Sequence, residues 1–122
     1  MKMRGAILSA GLALALLPGE CLADYWYCQF TPFRNQKLAY FSDAFGPTEN
    51  IVKRDGGTLQ KIRLAFADFV AGRYSETGNT TCAYFPDENA AQAELKRNED
   101  LLTNTVNNGK SVATGWRYAG PP

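Results

Sequence analysis

Cys28 and Cys82 are the side chains with the most definite chemistry open to them. A thiol pair can close a disulfide, ligate a metal or shuttle electrons, and its surroundings decide among the three. The chain has no histidine, and two thiolates alone do not complete a four-ligand metal site, so no metal is expected. The pair is not a Cys-x-x-Cys motif, which disfavours thioredoxin-like redox work. A disulfide between Cys28 and Cys82 is the expected outcome if the chain enters an oxidising compartment.

Catalytic groupings are harder to assemble. Without histidine, the commonest general base and the serine triad are missing. Ser42-Asp43, Ser75-Glu76 and Asp87-Glu88 place reactive types side by side, but each reads better as a turn or a helix cap. Asp43, Glu49 and Asp55 border or occupy one long connection and supply carboxylates for acid–base work if the fold brings two together. Gly56-Gly57 lacks the rest of a phosphate-binding loop, and no cofactor is expected. The richest resource is aromatic: two Trp, six Tyr and seven Phe, all of them beyond residue 23. Tyr25, Tyr27 and Tyr40, with Arg117, form the candidate binding face, since aromatic rings with polar tips grip sugars or peptides. The plainer alternative weighs more heavily: aromatics favour strands and fill small cores.

The N-terminal residues set the compartment. Lys2 and Arg4 precede a small and apolar run from Gly5 to Leu17. Pro18-Gly19 then breaks it, and Cys21-Leu22-Ala23 offers small residues at both positions a signal peptidase reads. Residues 1–23 are therefore expected to be a signal peptide, too short to span a bilayer. Glu20 before Cys21 argues against lipidation. Cleavage leaves 99 residues with eleven basic and eleven acidic side chains. That balance offers no basic stripe for nucleic acid, and the remaining chain carries no transmembrane segment. The expectation is an exported protein, periplasmic or secreted, with one domain over residues 24–122.

The elements that must position these residues follow from periodicity. Leu59, Ile62, Phe66, Phe69 and Val70 recur at steps of three and four, so 58–74 reads as an amphipathic helix started by Thr58. Residues 24–31 alternate in strand fashion, with Trp26, Cys28 and Phe30 on one face and Tyr25, Tyr27 and Gln29 on the other. A short turn leads to a second strand at 37–42, making an antiparallel hairpin. Residues 43–57 read as a long connection with an apolar Ile51-Val52 patch. A strand at 80–85 carries Cys82. Asp87 caps a helix over 88–108, whose thin apolar stripe of Ala91, Leu95, Leu102 and Val106 has Asn98 in its middle. Residues 111–118 form the last strand, followed by a frayed tail. Asn79-Thr80-Thr81 matches a glycosylation triplet, a short pattern that arises by chance.

The order β-β-α-β-α-β predicts an α+β fold: a four-stranded mixed sheet with both helices on one face and one disulfide tying the first strand to the third. The leading functional expectation is a non-catalytic binding or accessory domain using its aromatic sheet face, with a glycan or a peptide as ligand. The competitors are a secreted enzyme or effector with a carboxylate site near the 43–57 loop, and a homo-oligomeric subunit pairing through an open sheet edge or through the tyrosine face.

Overall fold

The computed structural model describes residues 23–49 and 57–119. Residues 1–22 of the expected 1–23 signal peptide, the Ile51-Val52 patch, Asp55 and the extreme C-terminus lie outside them. The chain runs β1 (Ala23–Pro32), β2 (Leu38–Phe41), β3 (Phe45–Glu49), α1 (Gly57–Tyr74), β4 (Gly78–Phe85), α2 (Glu88–Thr105) and β5 (Lys110–Ala113). The fold is α+β, with two helices and a mixed five-stranded sheet among the described residues.

The long strand β1 organises the sheet. Its alternation of bulky apolar residues leaves both faces needing cover, which suits a central strand. Along one side it pairs antiparallel with β4 over eight consecutive positions, from Tyr25↔Phe85 to Pro32↔Gly78. Along the other side it meets β2 near Phe30 and β3 near Trp26, both antiparallel. β5 lies beyond β2 and runs parallel to it, reached through β3, α1, β4 and α2.

One strand was not foreseen. β3 lies inside the stretch read as connection, because Gly46-Pro47 looks like punctuation. Proline is tolerated on edge strands, and β3 pairs only with β1 among the described strands. Phe45 is buried, and the Trp26 indole N–H donates to the Thr48 hydroxyl at 2.7 Å. Gly46 has φ 145°, and a Cβ there would lie 2.7 Å from the Asp24 carbonyl oxygen. Only glycine fits that approach.

The helices cover opposite faces of the sheet, not one. Ile62, Phe66 and Val70 of α1 are fully buried against Trp26, Cys28, Phe30 and Tyr40. On the other side Tyr27, Ala39 and Phe41 pack with Leu95 and Leu102 of α2. The reason lies in β1 itself: Tyr27 between Trp26 and Cys28 is too apolar to leave wet, and the second helix takes it. The stripe on α2 is thin because it faces a smaller core. Asn98, the polar interruption, donates to the Tyr27 hydroxyl. Asp87 caps α2 as expected, accepting from the Ala90 N–H at 2.8 Å.

The last strand is shorter than expected. Gly115 adopts φ 77°, which ends the extended run after Ala113. The chain then turns back, the Asp43 N–H donates to the Trp116 carbonyl at 2.9 Å, and Trp116 packs on Phe66 with Tyr118 beside Phe45. No helix among the described residues is long and apolar enough to cross a membrane.

Candidate functional site

The disulfide is present, joining Cys28 to Cys82 across β1 and β4. Its place follows from the hydrogen bonds around it. Cys28 donates its N–H to the Ser42 hydroxyl at 2.8 Å and accepts from the Ser42 N–H at 3.0 Å. Both backbone groups of Cys28 therefore point toward β2 and away from β4. Cys28↔Cys82 is then a non-hydrogen-bonded pair, the closer of the two kinds in an antiparallel ladder. Its Cα atoms are 4.1 Å apart, and the sulfurs meet on the face beneath α1, where Cys28 is wholly buried.

The same phase fixes what β4 presents outward. Asn79, Thr81, Ala83 and Phe85 turn their backbone groups to β1. Thr80, Cys82 and Tyr84 turn theirs to the outer side, where no described strand pairs. Sequence Gly78–Phe85 holds no charged residue and no proline, and its register with β1 is unbroken. Natural edge strands are usually shortened, bulged, charged or interrupted by proline. β4 has none of these devices. By contrast β5 is four residues long and starts at Lys110, and β3 contains Pro47. Tyr84 at one end of β4 is 43% exposed, and Phe33 at the other is 59% exposed. The Phe33 N–H donates to the Thr77 carbonyl at 2.9 Å, which seats it beside the start of β4.

The expected binding face does not form. Tyr40 pairs with Phe30 and so falls on the α1 side; Tyr27 lies on the α2 side; both are 6% exposed. Tyr25 is half-buried beside Phe85, and Arg117 is exposed, 3.9 Å from Asp43. The structure puts Tyr40 on the opposite face from Tyr25 and Tyr27, because the hairpin register sets Tyr40 in phase with the even positions of β1.

Two polar networks use these tyrosines. The Tyr40 hydroxyl donates to Glu76 Oε2 at 2.8 Å, and the Arg34 guanidinium grips the same carboxylate through both its oxygens, Nε reaching Oε1 at 2.8 Å. Arg34, then Tyr40, hold the Glu76 carboxyl below its usual range. Burial, then the Glu76 carboxylate, raises the Tyr40 phenol. The clamp ties the β1–β2 turn to the α1–β4 junction. Across the sheet, burial raises the Tyr27 phenol, opposed by the Asn98 hydrogen bond.

The carboxylates of the 43–57 stretch do not build a site of their own. Asp43 is half-buried and faces Arg117; the Glu49 side chain and Asp55 lie outside the described residues. Glu99 of α2, which the sequence did not single out, is half-buried. Burial pushes its carboxyl up, Lys96 opposes this, and Asp100 and Asp43 add to the rise. A half-buried carboxylate on a polar helix carries no periodic signal, so nothing in the sequence marked it. Among the described residues no group of His, Cys, Asp and Glu is arranged to hold a metal ion. Comparison of the chain with protein-family models, curated proteins and solved structures finds no match.

Proposed function

We propose that this is a small exported, non-catalytic interaction domain that takes up an extended polypeptide strand along the outer edge of β4. The observation that carries this reading is the outward row of backbone groups at Thr80, Cys82 and Tyr84, which no described strand pairs, on an uncharged, unbulged eight-residue strand. Strand addition draws affinity from main-chain hydrogen bonds and selectivity from alternate side chains. Behind this edge the disulfide and the full-length ladder to β1 stiffen β4, so little conformational freedom is lost on binding. Of the two ligand classes expected from the sequence, this keeps the peptide and moves the contact from a sheet face to a sheet edge.

An array of extended eight-residue peptides, including the chain's own 78–85 segment, tests the reading. Thr81 is exposed, and Thr81→Lys places a charge on the edge strand without breaking the ladder to β1. Binding that this variant abolishes, and that Leu101→Lys on α2 leaves intact, supports strand uptake. Binding equal in both variants, or none, refutes it. Export rests on the Lys2–Ala23 pattern and the disulfide; N-terminal sequencing of the protein recovered outside the cytoplasm should begin at Asp24.

A second reading, an enzyme with a carboxylate pair, is favoured by the Glu99 carboxyl, raised chiefly by burial and to a lesser extent by the charges of Asp100 and Asp43. Release of reducing ends from a glycan panel, lost in both Glu99→Gln and Asp43→Asn, would establish it. Release by neither the native protein nor the variants dismisses it.

A further inference from the structure

We infer that the strand taken up at the β4 edge is β4 of a second copy, the two pairing antiparallel about a two-fold axis into one continuous sheet. This rests on the strand-uptake reading and names its partner. A two-fold contact needs a patch complementary to itself, and an open strand edge run antiparallel against its own copy meets that condition. The outward groups fall in phase when the axis passes Thr81 or Cys82, near the middle of the Gly78–Phe85 strand.

Three features favour a second copy over a foreign peptide. The first is charge. The end where α1 delivers the chain to β4 carries Arg73 and Arg34 against the single carboxylate Glu76. The other end opens into α2 through Asp87 and Glu88, both exposed. An antiparallel two-fold sets the positive end of each copy against the acidic end of the other, twice. The second is apolar surface. Tyr84, one of the exposed large hydrophobics, lies near one end of this edge strand, and Phe33, also exposed, follows β1 beside Thr77 at the other end of β4; the two-fold brings these two ends together. The third is supply. β4 is the long, uncharged, proline-free edge among the described strands, so the strand this chain can offer β4 is another β4. The exported chain also has equal numbers of acidic and basic residues, and no net repulsion holds copies apart.

Sedimentation equilibrium of the exported, disulfide-intact protein tests the inference. The native protein and Leu101→Lys should be dimeric. Thr81→Lys should be monomeric with an unchanged circular-dichroism spectrum and thermal midpoint extrapolated to low concentration. Thr80→Val, which leaves the outward backbone groups in place, should stay dimeric. A dimer untouched by Thr81→Lys overturns the proposed interface. A native protein monomeric at millimolar concentration that still binds array peptides in a Thr81→Lys-sensitive way overturns the second copy and leaves strand uptake standing. A monomer that binds no peptide removes both.

Discussion

Glu76 shows how a single side chain can be worth more to the fold than its surface neighbours. It is almost fully buried yet ionised, because Arg34 and Tyr40 satisfy both its oxygens. A carboxyl held below its unfolded value binds fewer protons in the folded state. Its stabilisation is therefore full above the ordinary carboxylate range and is lost as pH falls through the lower folded value. Glu76→Gln should lower the urea midpoint at pH 7 and flatten its fall between neutral pH and acid. A variant whose acid limb matches the native protein would show that the clamp does not act through this charge. The Tyr40 phenol, shifted upward, works on the alkaline side: its contribution is present below the unfolded tyrosine value and fades as pH rises through the folded one. Thr80 is the opposite case. Its hydroxyl is buried with no hydrogen-bond partner among the described residues. An unsatisfied buried hydroxyl costs roughly 1–3 kcal/mol, so Thr80→Val should raise stability by about 1 kcal/mol in urea melts. A loss of stability would mean that the hydroxyl has a partner after all.

At the scale of elements, much was legible where one periodic pattern met one partner. The stripe of Leu59, Ile62, Phe66 and Val70 on α1 lies where its spacing put it, and Asp87 caps α2. Cys28 and Cys82 place the first strand beside the strand that follows α1, as their pairing required. The failures came where tertiary context overrode local reading. β3 hides behind Gly46-Pro47, since a lone edge strand tolerates residues that would stop a central one. Nothing in the alternation of 24–31 says whether its second face meets water or a helix. The chemistry of Tyr27 decided it, with a ring that fits a core and a hydroxyl that Asn98 satisfies. The aromatic platform was lost with that face. The β4 edge was legible only in part: its uncharged composition is in the sequence, but the side left unpaired is a property of the sheet. The disulfide belongs to this scale too. It closes a separation of 54 residues, for which loop-closure entropy gives about 4 kcal/mol. Cys28→Ser combined with Cys82→Ser should lose up to that amount in urea denaturation, and loosen β4 more than α2. No change in stability would mean that the unfolded chain is already held compact.

At the scale of the whole molecule, the β-sheet among the described residues carries a helix on each face and has no strand along the outer side of β4. α1 and α2 pack on its two surfaces, and the boundary that no described strand covers runs along β4, backed by β1. Among the described strands, β4 is the long template another strand could use. Residue-resolved amide hydrogen exchange across a concentration series reads that template directly. At the dilute end the amides of Thr81, Ala83 and Phe85, bonded to β1, should exchange slowly, and those of Thr80, Cys82 and Tyr84 should exchange fast. With rising concentration the second set should become protected while the first stays as it was. Fast exchange at Thr80, Cys82 and Tyr84 under every condition, with or without peptide, would contradict the account.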